Sequence, residues 1–336
     1  MEPPENKLKY SLLLLAVGLI TGFVLVFWFV PENSFIPEND KAGLGTSSLE
    51  SKYKYDIEKY KKVDPKLVLY KELEGFKTGF NEATGIYIDE NDKIYICGDS
   101  GVIIVNQDGR NKKIKSIEGL TAVAVTTDGV IYAAAGDKVF FGKKDLAGSF
   151  GIKGKGKGEF EYITSIKIKN DKLYIADAGN RRVTILDLKG KYFGEFVKEP
   201  SKEIKGFIIP SPHMDLFPDN DGNLWVANTG KLRFEKYSKD GVLLSSWGKS
   251  GINIEEFIGC CNPCNFTITR DGSFITSEKG LPRIKEYDKT GKFIGVVASP
   301  SAFSEKCVNM AVAADSKGIV YALDSVEKKV RMFQKQ

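Results

Sequence analysis

One segment pattern recurs six times after residue 80, and nothing else in the chain restricts its folding as strongly. Each copy is an apolar alternating strand, an Asp/Asn/Gly turn, a second strand ending near Tyr-x-Ala, and a small polar turn. The copies begin at Gly85, Ala122, Ser165, Asp215, Asn265 and Ala311, a period of 37 to 50 residues. That length holds four short strands with their turns, the unit of a β-propeller blade. Alternation with period two, as in Ile166-Lys167-Ile168 and Thr267-Ile268-Thr269, marks the inner strand. The second strand follows an Asp-Gly or Asn-Asp turn suited to a tight hairpin.

A third strand is legible as Val102 to Val105, Arg182 to Leu186, Arg233 to Tyr237, Arg283 to Tyr287 and Val330 to Phe333. Fourth strands are clearest in residues 190–197, 241–248 and 291–298. The sixth copy reaches Gln336 without one, and an unpaired third strand would leave an exposed edge. The segment Leu67 to Leu73 precedes the first repeat and belongs to no complete blade. It is expected to supply the missing strand. The expected fold is therefore all-β, a six-bladed β-propeller over residues 65–336 closed by the strand 67–73 and preceded by one N-terminal transmembrane helix.

That helix is read from Tyr10 to Val30, an unbroken run without a charge. It is long enough to cross a bilayer core of about 30 Å. Trp28 and Phe29 sit near its distal end, where aromatic side chains favour the interface. Lys7 and Lys9 precede it, while Glu32, Glu38 and Asp40 outnumber Lys41 beyond it. The positive-inside rule places residues 1–9 in the cytoplasm and everything after Pro31 outside. The rival reading, a cleaved signal peptide, wants a shorter apolar core and a small-x-small cleavage site. This run ends in Phe-Trp-Phe-Val-Pro-Glu, so an uncleaved single-pass anchor in the cytoplasmic membrane is expected, with the propeller on the extracytoplasmic or periplasmic side. Residues 31–64 form a tether rich in Pro, Asn, Gly, Thr and Ser at its start. In Ser48 to Lys62, Tyr53, Ile57 and Tyr60 have helical spacing; a short helix and a solvated spacer are both open.

Forty-nine basic side chains stand against 44 acidic ones, and lysine is spread over almost every turn. A nucleic-acid binder gathers its basic groups on one face. No nucleic-acid partner is expected.

The run Tyr174 to Val183 (YIADAGNRRV) resembles the signature of NHL-repeat propellers, and Phe150 to Phe160 (FGIKGKGKGEF) resembles the connector between blades in that family. Pro212 and Pro263 repeat its proline before an inner strand. Copies three to five match well, whereas copies one, two and six lack the full Asp-x-Gly-Asn turn. The resemblance implies the architecture and no activity, because one fold hosts unrelated functions. The glycine-lysine run 151–158 is not a phosphate loop, since no Ser or Thr follows its lysines and no helix begins there.

Candidate site residues lie where the copies depart from their pattern. Cys260, Cys261 and Cys264 precede the fifth inner strand, and Cys307 holds the like place before the sixth. Equivalent positions of adjacent blades meet around the channel, so four thiols are expected at one mouth. Three readings stand open: a structural disulfide of Cys307 with Cys260 or Cys261, a redox Cys-x-x-Cys of Cys261 and Cys264, and a thiolate-bound metal held by all four. A c-type haem is disfavoured because Asn265 stands where its axial histidine belongs. Cys97 replaces an alanine of the second strand and is expected to be buried and inert. His213, the only histidine, precedes the fourth inner strand with Asp215 beside it; Asn262, Asn265 and Asn309 are further polar candidates for a small ligand or cation. The bland alternative is that such residues hydrogen-bond the loops between blades.

Comparison with enzymes on similar rings narrows the choice. A zinc-dependent peptide-amidating lyase draws on several histidines, and this chain has one. The axial carboxylate-and-Asn cluster of calcium-dependent lactonases is matched thinly by Asp215, Asn262, Asn265 and Asn309. No G-x-S-x-G elbow is present. The expected role is a membrane-anchored scaffold that holds a protein partner or small ligand on one face, without a cofactor. The alternative is a redox or metal-dependent enzyme, or an electron-transfer component, centred on the cysteines.

Overall fold

In the computed structural model, which describes residues 60–336 apart from 107–110, 115–116, 197–206, 305 and 308–309, the six repeats become six four-stranded antiparallel sheets. The third blade shows the plan: Ile163–Lys169 innermost, then Lys172–Asp177, Arg182–Asp187 and Tyr192–Phe196 at the rim. The expected third strands recur with ends moved by a residue or two, and blade two has one at Lys138–Gly142 that its aromatic sequence concealed. Most of the first hairpins are tied by a side chain of their own turn. In the sixth, for example, Asp315 Oδ1 accepts from the backbone N–H of Lys317 at 2.9 Å and of Ile319 at 2.8 Å. Such Asx turns explain why Asp recurs at the hairpins.

The apolar core is divided among the seams between blades, one cluster for each neighbouring pair. Ile86 and Ile96 of blade one pack with Ala311, Tyr321 and Leu323 of blade six, so the last seam is filled like the others. The seam between blades four and five is aromatic: Phe234 lies within 6 Å, centroid to centroid, of Trp247, Phe257, Phe266 and Phe274. At the far end of the last seam, Asp92 accepts from the Ser316 N–H at 2.8 Å and from its hydroxyl at 2.6 Å.

The ring is closed by Tyr70–Lys77, which pairs antiparallel with Lys329–Lys335 as the outer strand of blade six. Closure by the segment before the first repeat is thus seen, with the strand about three residues later than expected. Pro65–Leu67 is a 3-10 turn, and the Leu69 N–H then donates to Val296 O of blade five at 3.0 Å before the pairing begins. The apolar alternation ends at Leu73, but backbone hydrogen bonds carry the strand through a bulge to Lys77. Gly75 lies in that bulge, where a Cβ would stand 2.1 Å from the Val330 carbonyl oxygen.

The residues of the repeat signature hold the connectors. Arg182 donates to the carbonyls of Lys155 and Gly156 at 2.8 Å and of Glu159 at 2.7 Å, and so fixes the glycine-lysine connector. Asp177 at the end of the preceding strand accepts from the Tyr162 N–H at 3.1 Å. Among the described residues no helix is long and apolar enough to cross a membrane. The predicted span 10–30 and all but the end of the tether lie outside the described residues.

Candidate functional site

Two successive positions at the start of the inner strands decide what several candidates do. The first holds Thr84, Thr121, Thr164 and Cys264. The second, which faces the adjacent strand, holds Gly85, Ala122, Ser165, Asp215, Asn265 and Ala311 in blades one to six. The three threonine hydroxyls each donate to a carbonyl of the next blade: Thr84 to Leu120, Thr121 to Ile163 at 2.8 Å, and Thr164 to Met214 at 2.7 Å. Asp215 and Asn265, one residue further along, also reach the next blade, but as acceptors from its backbone N–H groups. Asp215 Oδ2 accepts from the Phe266 N–H at 3.0 Å, and Asn265 Oδ1 from the Val312 N–H at 2.9 Å. The other Asp215 oxygen accepts from the Ser165 hydroxyl at 2.7 Å and the Leu216 N–H at 2.9 Å. Both residues therefore act as ties between blades. Asn262 is buried and bonds Ile258 O at 2.7 Å, Lys279 O at 3.0 Å and the Lys279 N–H at 2.9 Å, which holds its own loop. Asn309 lies outside the described residues.

The cysteines do not gather as expected. Cys264 holds the position of Thr84 and Thr121 and is buried. Its thiol bonds Ser277 O at 3.3 Å, and burial pushes it up to about 12. Cys307 is buried among Ile284, Phe303 and Met310. Cys97 is fully buried, and burial likewise pushes its thiol up to about 12. Cys260 and Cys261 alone meet, at 3.3 Å between sulfurs, and no disulfide is formed. Among the described residues no group of three or more His, Cys, Asp or Glu side chains could hold a metal ion. The repeat explains the misreading. The same distance from an inner strand does not give the same direction: Cys307 points into the apolar seam, whereas Cys264 is bonded to Ser277 beside the channel.

His213 faces the channel from the loop before the fourth inner strand. Burial, and secondarily the Lys279 ammonium, push its imidazole down to about 4. The unfolded chain thus binds this proton more readily than the folded one between pH 4 and the ordinary value of 6.5. Stability from this group is present at neutral pH and is lost as the pH falls through that window. Its proton NMR signal, unambiguous because the histidine is single, is expected to titrate near pH 4. Lys279→Met should raise that midpoint without restoring 6.5, since burial is the larger cause. A midpoint at 6.5 in the folded protein would show a solvated ring.

The channel opens at two mouths. The mouth at the strand starts is a cavity of about 280 Å³ whose lining includes Glu82, Thr164, Lys167, His213, Asp215 and Cys264. The mouth at the hairpin turns is wider, about 940 Å³, with Phe217, Trp225 and Ile168 in its wall and Glu90, Lys167 and Arg270 among its charged groups. Beside the first mouth lie Ser211 and Lys279, which sequence reading passed over because neither starts a strand. Lys279 donates to the Ser211 hydroxyl at 2.8 Å and both reach the Cys261 thiol.

Solved structures share this architecture at low identity. The WD40 β-propeller domain of Doa1 superposes with a TM-score of 0.57 at 11% identity, covering 80% of this chain and 97% of that one. Virginiamycin B lyase from Staphylococcus aureus matches with a TM-score of 0.54 at 14% identity over 80% of this chain and all of the other. A gluconolactonase from Xanthomonas campestris matches with a TM-score of 0.56 at 13% identity, over 77% of this chain and 88% of its own. No protein-family model and no curated protein matches the chain. These likenesses show the propeller fold and nothing finer.

Proposed function

We propose that this chain is an NHL-type propeller, anchored in the cytoplasmic membrane by residues 10–30 and facing outward, that serves as a binding scaffold for a protein partner or ligand. The wide mouth carries the reading. It is a concavity of about 940 Å³, within the range of about 300–1,000 Å³ typical of ligand sites. Its rim is built from hairpin turns whose own side chains already satisfy them: Asp219 accepts from Asp221 N–H at 2.9 Å and Asn223 N–H at 2.8 Å, and Thr269 bonds Ser273 O at 2.9 Å. A preorganised rim loses little entropy on binding. Short loops on a rigid disc also change specificity without changing the fold. By contrast, Asp215 and Asn265 at the narrow mouth are engaged between blades, which disfavours a catalytic centre built on them.

The test uses the intact anchored protein. Lys167→Glu with Arg270→Glu reverses two rim charges and should leave thermal unfolding unchanged. It should remove whatever the wild type captures by cross-linking from its own membrane fraction. Equal capture by wild type and variant would move the binding face elsewhere. Protease added outside intact cells should cut the domain; protection would overturn the outward topology.

A further inference from the structure

Cys260 and Cys261 occupy the loop that leads from blade four into blade five, and their surroundings are unlike. Cys260 is exposed, whereas Cys261 is 7% exposed and lies against Ser211 and Lys279. Ser211 comes from the loop before blade four and Lys279 from a turn of blade five, so the packing of two blades places the cation. Burial opposes a thiolate at Cys261. Hydrogen bonds from Ser211, Cys260 and Lys279, with the ammonium charge, outweigh it and hold this thiol below its ordinary value. The neighbouring sulfur pushes Cys260 the other way. Across the 3.3 Å contact the Lys279 ammonium favours the inner sulfur as the thiolate.

We propose that Cys260 and Cys261 form a thiol–disulfide exchange site, with Cys260 the exchanging sulfur, Cys261 the resolving thiolate, and a small disulfide as co-reactant. Cys260 passes its proton to Cys261 and attacks one sulfur of the co-reactant. The disulfide bond of the co-reactant breaks, and the first thiolate leaves with the proton from Cys261. Cys261, again a thiolate beside Lys279, attacks the Cys260 sulfur and expels the second thiolate, which takes a proton from water. The protein is oxidised by two electrons and the co-reactant is reduced to two thiols.

The reverse direction is equally well arranged. An incoming thiolate meets the exposed Cys260 sulfur, and the group that leaves is the thiolate stabilised by Lys279; a leaving group of lower pKa departs faster. Adjacent Cα atoms across a trans peptide lie about 3.8 Å apart, below the span of about 4.4–6.8 Å usual for disulfides. The eight-membered ring is therefore readily reduced, which suits a labile bond and not a structural one. This site depends neither on the membrane anchor nor on the wide mouth.

The full-length protein in detergent, mixed with glutathione disulfide, quenched in acid and mapped by peptide mass, tests the assignment. In the wild type, the peptide carrying both cysteines should lose two hydrogens and retain no glutathione. Cys261→Ser should accumulate one glutathione on Cys260, and Cys260→Ser none at Cys261. Lys279→Met should slow ring closure several-fold and make the mixed disulfide visible on the way; should Cys261→Ser fail to fold, this variant and the wild type still decide. Glutathione kept on Cys260 in the wild type, no change at either sulfur, or closure at an unchanged rate in Lys279→Met would overturn the proposal.

Discussion

Glu278→Gln is expected to destabilise the propeller by about 3–5 kcal/mol, the range for breaking a buried ion pair from one side. Glu278 is wholly buried and meets Arg283 at 2.7 Å and Lys285 at 2.8 Å, both themselves buried. Its second oxygen accepts from the Ile258 N–H at 3.1 Å, which ties the connector to blade five. Burial disfavours the charged carboxyl, yet Lys285 and Arg283 overcome it and hold Glu278 below its usual range. Lys285 has no such surplus. Burial pushes its ammonium down to about 8 in spite of Glu278. Glutamine therefore leaves two buried cations facing one neutral amide. Lys285→Met should cost markedly less, because Arg283 still bonds Glu278 and the methionine stem packs against Phe257 and Tyr287, where the ammonium now sits. With its folded value lowered further in the glutamine variant, Lys285 is more protonated in the unfolded chain than in the folded one up to its ordinary 10.5. Stability of that variant must then rise with pH, and part of the loss should return near pH 10. Thermal unfolding of the three proteins at pH 7 and pH 10 checks both statements. Equal midpoints for Glu278→Gln and Lys285→Met would refute the asymmetry.

This cluster also shows what a repeat discloses. The pattern of an acidic or amide residue ending the second strand and an arginine opening the third is visible at Asp177/Arg182, Asn228/Arg233 and Glu278/Arg283. Its purpose is not, because the carbonyls that Arg182 and Arg283 hold belong to connectors 23 to 27 residues earlier. The strand pattern was legible because alternation and turn chemistry are local. The candidate site was less so. Asp215 and Asn265 look exceptional beside their own neighbours in sequence, yet they tie blades one residue after the position at which Thr84, Thr121 and Thr164 do so. Aligned in register, the copies place these five hydrogen-bonding residues at two adjacent positions of the strand start. No such reading finds Ser211 and Lys279, whose meeting with Cys261 arises from the packing of two different blades.

Removal of the closing strand is expected to have the largest effect. Among the described residues Tyr70–Lys77 supplies the only partner for the outer edge of Lys329–Lys335, and its Glu72 pairs with Nε and Nη2 of the buried Arg331. Tyr70 belongs to the core cluster that also holds Val297, Phe303 and Phe333. Deleting residues 65–77 would expose that cluster, strand an arginine that is 5% exposed, and leave an open sheet edge of seven residues. The shortened chain should lose its cooperative thermal transition and associate. A peptide of residues 65–78 added in excess should restore the transition in a saturable way, because the strand closes the ring by pairing and not by a covalent link. A point change makes the same case more gently. Gly75→Val puts a Cβ against the Val330 carbonyl, which is backbone and cannot rotate aside, so the bulge must open and the midpoint should fall by several degrees. An unaltered transition in the deleted chain would mean that the sixth blade is stable with three strands. The seam between blades six and one would then carry the ring unaided, through Ile86, Tyr321 and Leu323 and the Asp92–Ser316 tie.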